Sequence, residues 1–304
     1  MYDIIIIGGG PAGMTAALYA LRNGKSALVL EKQGFGGQIT HSPKVENYPG
    51  TLQMSGNEFA DRCLEQILAQ GAEIELEKAV GIEDLGDRKV VRTEEGSAFE
   101  GRAVVVATGV KHRMLGLEGE DELVGEGISF CAVCDGDFYS GRRVCVAGGG
   151  NSALQEAILL AEKCSEVVIL QDLPQLTGEQ KLQDVLAAKG NVRVIANTRI
   201  TRLRTADGEL TGVELEDRTT GATQAVDCDG LFVAIGLIPE NEPFAPLAEL
   251  NDWGYFDSDE RCLTKTPGVY VAGDCRSKAV RQLATAIADG ATAALAACRY
   301  INEG

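Results

Sequence analysis

The chain has 304 residues, 45% of them hydrophobic and 24% charged, which is enough apolar material for two domains with buried cores. A formal net charge of −17 excludes a general nucleic-acid or anionic-membrane footprint, because such surfaces demand clustered cations. No apolar run approaches the roughly 18–20 residues of a membrane span, and MYDIIIIGGG lacks the basic n-region and cleavage site of a signal peptide, so a cytoplasmic protein is expected.

In chain order, DIIIIGGGPAG (3–13) reads as a strand, a glycine turn and the start of the helix TAALYALRNG, followed by the strand SALVLEK ending at Glu31. Gly8, Gly10 and Gly13 fit the spacing G-x-G-x-x-G. The first permits a tight turn, the second lets the backbone approach a pyrophosphate, and the third allows close helix–strand packing. The helix N-terminus adds free N–H groups and a positive dipole end. Glu31 is placed to accept hydrogen bonds from a ribose, so an adenine-dinucleotide site is expected here. A β-meander-like stretch follows, and AVVVATG (103–109) closes the unit.

Next comes GISFCAVCDGDFY (127–139). A C-x-x-C can be half of a zinc site, but there is no second one, and His41 and His112, the only histidines, lack ligand spacing; no metal is expected. Cys131 and Cys134 could be a buried thiol pair or a redox disulfide. The disulfide is the better reading, because two thiols at this spacing can close into a bridge and one thiolate is easily stabilised. Asp135 offers a carboxylate to move protons. The other seven cysteines are scattered and read as small buried hydrophobes.

RRVCVAGGGNSA (142–153) restarts the first plan: strand, glycine turn, the helix ALQEAILLAEKC and the strand EVVILQ. Gly148 to Gln171 spans the same 23 positions as Gly8 to Glu31. GLFVAIGLIPE (230–240) closes this second unit, and GVYVAGD (268–274) then leads into an alanine-rich helix. An aspartate ending an apolar strand suits the sugar-alcohol chain of FAD, and the helix in RQLATAIADG would aim its N-terminus at the flavin pyrimidine, favouring reduced flavin. FAD therefore suits the first site better than NAD. The expected fold is α/β: two Rossmann-like, three-layer dinucleotide-binding domains, the second (113–242) inserted into the first (1–112 and 243–304).

These motifs, with GGQITHSPKVENYPG (36–50), CAVCDG (131–136), AIGLIPE (234–240) and AGDCRSKAVRQLATA (272–286), occur in one order that closely resembles the low-molecular-weight bacterial thioredoxin reductases along essentially the whole chain. The resemblance implies a homodimeric FAD enzyme that reduces thioredoxin. It implies Cys134 as the thiol facing the flavin, Cys131 as the one attacking the partner disulfide, and Asp135 as the acid/base. It also implies that Gly13, Glu31, Gly37, Gln38, Asn47, Asp274, Arg281 and Gln282 contact FAD.

One departure stands out. The family's NADPH site carries His-Arg-Arg-x-x-x-Arg after the second strand of the inserted domain; here those positions include Gln171, Asp172, Leu173 and Thr177. A 2′-phosphate carries nearly two negative charges and suits arginine, so NADPH is disfavoured. The sequence is similar to reductases that take electrons from reduced ferredoxin, and Arg276, Lys278, Arg281, Lys111 and Arg113 are candidates for a basic docking patch. Asp172 could alternatively reach the ribose of NADH. An oxygen-using FAD dithiol oxidase and a non-catalytic redox sensor are the remaining alternatives.

Overall fold

The computed structural model describes residues 1–42 and 44–303. They form two compact units, Met1–Lys111 with Ile238–Gly304, and His112–Leu237. The first opens with β1 (Tyr2–Ile7), α1 (Pro11–Arg22), β2 (Ala27–Leu30), α2 (Gly56–Ala69), β3 (Glu73–Glu75), β4 (Ala79–Asp84), β5 (Lys89–Thr93) and β6 (Ala98–Val106). After β7 (Lys111–His112), the second unit contains α3 (Glu120–Leu123), β8 (Ile128–Ser129), α4 (Ala132–Asp135), β9 (Arg143–Ala147), α5 (Asn151–Ala161), β10 (Glu166–Leu170), α6 (Gln180–Ala187), β11 (Val192–Ile195), β12 (Thr198–Ala206), β13 (Glu209–Asp217), β14 (Thr223–Asp227) and β15 (Gly230–Val233). Past β16 (Leu237–Ile238) the chain ends with β17 (Val269–Val271) and α7 (Leu283–Glu303).

In the first unit, Ile4 to Ile7 form a continuous apolar run because β1 is central, flanked in parallel by β2 and β6 and covered on both faces. The sheet order is β3-β2-β1-β6-β5-β4, with β17 parallel to the second half of β6. Ile4 and Ile6 face a core shared with α1 and α7, while Ile5 and Ile7 face Phe244, Phe256 and Cys275 on the other side. Each such side chain contributes about 1.5–3 kcal/mol by leaving water.

In the second unit, β11-β10-β9-β15-β8 form a parallel sheet, backed on one face by α5 and on the other by the antiparallel ribbon β12-β13-β14. The two glycine turns match closely. Gly8 adopts φ +109° and Gly148 φ +121°, a region that side chains resist. An added Cβ would lie 2.3 Å from the Ala107 carbonyl oxygen in the first turn and 2.5 Å from that of Ala234 in the second. Gly8 N–H donates to Leu30 O at 2.8 Å, and Gly148 N–H to Leu170 O at 2.9 Å.

α7 packs tightly on α1 at Gly290, where a Cβ would sit 2.1 Å from the Ala12 carbonyl oxygen. Gly290→Ala is expected to cost about 2–4 kcal/mol in urea unfolding, because backbone must move. Gly34→Ala, which meets nothing within 4 Å, should leave stability unchanged. Equal stability of the two variants would refute the close helix contact.

Candidate active site

Cys131 and Cys134 form a disulfide, with Cα atoms 5.3 Å apart, around the single turn α4. Cys131 caps that turn: its carbonyl accepts from Cys134 N–H at 3.1 Å and from Asp135 N–H at 3.0 Å, and its Sγ accepts from Cys134 N–H at 3.2 Å. Asp135 is only 9% exposed. The Ser129 hydroxyl donates to Asp135 Oδ2 at 2.6 Å and accepts from Cys131 N–H at 3.1 Å, so one serine ties the carboxylate to the disulfide. Burial pushes the Asp135 carboxyl above its ordinary range, and the bond from Ser129 offsets this only in part.

Sequence reasoning missed two residues here. Ser129 ends β8 beside the redox turn. Glu156 lies on α5, three residues after buried Ala153 and four before buried Leu160, and its Oε2 accepts the Ala132 N–H. A carboxylate on the apolar face of a helix was the available signal. Burial, and secondarily the neighbouring Asp135, push Glu156 up to about 7.

At the first glycine turn, Glu31 accepts from Gly9 N–H at 2.7 Å and from Gln33 N–H at 3.0 Å, one bond per carboxylate oxygen. Ionised carboxylate oxygens can take about four bonds in all, so acceptor capacity remains for a ribose. A Cβ on Gly10 would meet nothing closer than 3.9 Å, and one on Gly37 would lie 3.5 Å from Gly10 Cα, so two bare backbones line one strip. Asn47 Nδ2 donates to Gln282 Oε1 at 3.2 Å, and Arg281 Nε donates to the Asp274 carbonyl at 3.2 Å while its guanidinium lies over the Tyr255 ring. The fold thus joins Asn47 to the Asp274–Gln282 segment across more than 200 residues of chain. Gln38 lies exposed in the short turn Gly37–His41. Asp274 Oδ1 is buried without a hydrogen-bond partner, and burial pushes its carboxyl up; a sugar hydroxyl is the kind of donor it lacks.

The second glycine turn lies in the wall of a cavity of about 900 Å³, with Leu170–Leu173, Thr177 and Arg199 also lining it. Gln171 does not behave as Glu31 does. Its Nε2 donates to Gln175 O at 3.2 Å and its Oε1 accepts from Asp172 N–H at 3.1 Å, so both polar ends are turned into their own loop. Asp172 pairs with Arg218 at 3.2 Å.

The expected docking patch needs correction. Arg276 is 2% exposed: Nε and Nη2 bond Asp289 at 2.8 and 3.2 Å, and Nη1 donates to the Ser258 and Asp259 carbonyls. Lys278 is half-buried, with its ammonium held 2.8 Å from Asp289 Oδ2. Lys111 pairs with Glu240 at 3.0 Å. The sequence could not reveal this, because Asp289 approaches from α7, 13 residues further along the chain.

A family model described as pyridine nucleotide-disulphide oxidoreductase matches residues 2–290. The chain belongs to the pyridine nucleotide-disulphide oxidoreductase family. It is 38% identical over 303 residues to a thioredoxin reductase of Listeria monocytogenes, covering 100% of this chain and 95% of that protein. It is 39% identical over 304 residues to the 34.2 kDa protein in the rubredoxin operon of Clostridium pasteurianum, covering 99% and 97%. The thioredoxin reductase structure from Streptococcus pyogenes superposes with a TM-score of 0.94 at 36% identity, covering 100% and 99%. The chain is accordingly a flavin disulfide oxidoreductase with FAD as its cofactor. The orphaned Asp274 oxygen, the spare capacity of Glu31 and the bare strip at Gly10 and Gly37 fit that group. Among the described residues no helix is long and apolar enough to cross a membrane.

Arg276→Glu should destabilise the protein by about 3–5 kcal/mol in urea unfolding, since it leaves Asp289 facing a second buried anion. Unchanged stability would return Arg276 to the list of docking residues.

Proposed function

We propose that this protein is a cytoplasmic, homodimeric FAD-dependent reductase of thioredoxin, supplied with electrons by reduced ferredoxin and not by NADPH. The observation carrying the choice of donor is the loop Gln171–Thr177, which has no cation and turns the Gln171 amide inward. A 2′-phosphate there would meet Asp172, whose own cation, Arg218, is already engaged. The relative encoded in a rubredoxin operon gives circumstantial support for an iron-protein donor.

FAD, when bound by Gly8, Gly10, Gly13, Glu31, Gly37, Gln38, Asn47, Asp274, Arg281 and Gln282, supplies a store for two electrons that a one-electron carrier can fill in two steps. The chain's own groups do the sulfur chemistry. The Cys131–Cys134 disulfide takes up two electrons and two protons and becomes a dithiol. Cys131, as thiolate, attacks a thioredoxin disulfide; one S–S bond breaks and a mixed disulfide forms. Asp135, held by Ser129 and kept protonated further towards neutrality by burial, gives its proton to the leaving thiolate. Cys134 then attacks Cys131, releasing the second thioredoxin sulfur and restoring the original disulfide.

A second reading, NADH as donor, is favoured by one observation: the cavity at the intact Gly148–Gly150 turn has the volume of a nucleotide site.

Anaerobic loss of oxidised-flavin absorbance separates the two readings. NADPH, NADH and enzymatically reduced ferredoxin are offered singly with oxidised thioredoxin present. Bleaching and turnover are expected with ferredoxin alone; rapid bleaching by NADH would overturn the ferredoxin reading. Cys134→Ser should abolish thioredoxin reduction, by a factor of at least about 10³, with FAD still bound. Residual turnover near the parental rate would remove the disulfide from the mechanism.

A further inference from the structure

Helix α5 begins at the second glycine turn, and its other notable contact is with the redox turn. From its buried face Glu156 accepts the N–H of Ala132, the first residue after Cys131. N–H groups at the head of such a turn are what lower the pKa of a leading cysteine. Cys134 N–H points at Cys131 Sγ, 3.2 Å away, but Ala132 N–H is held by a carboxylate.

We propose that Glu156 is a positioning residue that sets the acidity of the Cys131 thiol: its carboxylate holds the Ala132 N–H and opposes negative charge on Cys131 when the disulfide is reduced. The proposal rests on Cys131 being the thiol offered to the partner.

The surroundings do not cancel that effect. From α4 the facing charge is Asp135, a second carboxylate. The following turn, Gly136–Tyr139, brings Asp137, which binds Lys163 from beyond the end of α5, and Tyr139, which feels the Arg142 cation. β8 contributes the Ser129 hydroxyl, which is engaged by Asp135. A thiolate at Cys131 therefore forms against the Glu156 carboxylate, joined by Asp135 once that group has given up its proton, and a dithiol whose thiolate is disfavoured gives up its electrons more readily than one whose thiolate is stabilised. This suits a protein that reduces others. It also gives the second βαβ unit a task independent of any nucleotide, because its glycine turn sets where α5 starts and so where Glu156 lands.

The test is alkylation of Cys131 in the FAD-loaded protein carrying Cys134→Ser, with iodoacetamide from about pH 5 to pH 10 around the ordinary thiol value. Peptide mass spectrometry separates Cys131 from the other cysteines. Glu156→Gln keeps an oxygen for the Ala132 N–H and removes the charge. The rate–pH curve is expected to move to lower pH, with alkylation at about pH 8.5, where Glu156 is ionised in the parent, faster by on the order of three- to tenfold. Glu156→Asp keeps the charge and should stay near the parental curve. A Gln curve that coincides with the parent, or moves to higher pH, overturns the proposal, as does an Asp curve displaced as far as Gln. Alkylation needs neither an electron donor nor thioredoxin, so failure here is distinguishable from a wrong donor or a wrong partner.

Discussion

A glycine pressed against the carbonyl of the neighbouring strand is the contact on which both units depend. At Gly8 the neighbour is Ala107 and at Gly148 it is Ala234, and in each case a Cβ would fall within 2.5 Å of the oxygen. The turn exists only because no side chain is there and because φ is positive. Everything downstream inherits its position from it. α1 is started at a fixed height over β1, which allows α7 to close on it at Gly290. α5 is started in the same way over β9, and its first two turns deliver Glu156 to the Cys131–Cys134 turn.

The repeated scaffold carries different chemistry at its two copies. At the end of β2 a carboxylate accepts N–H bonds from the glycine turn and the following loop, and still offers lone pairs outward. At the end of β10 an amide occupies the matching place, and its donor and acceptor are both absorbed by residues 172 and 175. The backbone is nearly unchanged between them. What differs is that one side chain carries a carboxylate with lone pairs to spare and the other an uncharged amide already bonded, and that difference bears most on which nucleotide each turn could hold.

Around the disulfide, acidity is arranged by burial more than by partners. Asp135, Glu156 and, in the first unit, Asp274 are carboxyls raised by desolvation. Two of them retain an oxygen with no hydrogen bond, a costly state that ordinary structural carboxylates avoid. Asp289 shows the opposite solution. It is equally hidden, yet Arg276 and Lys278 hold its carboxyl below the usual range, and it behaves as a brace for the loop after β17. Buried carboxylates of one composition thus divide by their neighbours into candidates for chemistry and pieces of scaffold.

The α/β class, both glycine turns and the redox pair were legible in the sequence, because each is written in short-range terms. A strand followed by glycines at fixed spacing has one economical geometry, and two cysteines three residues apart can meet without help from elsewhere. The missing cations after β10 were legible for the same reason: charge at a strand end is a local property. Contacts arriving from distant chain were not. Arg276 reads as a surface cation until Asp289 approaches from α7, Asn47 has no visible reason to meet Gln282, and Glu156 is one acidic residue in a helix until α4 is laid against it. The sequence by itself determined the turns, the sulfur pair and the charge at each strand end. Tertiary structure alone decided which charges are buried and what they face, because burial and pairing depend on segments that the chain brings together only when the sheets close.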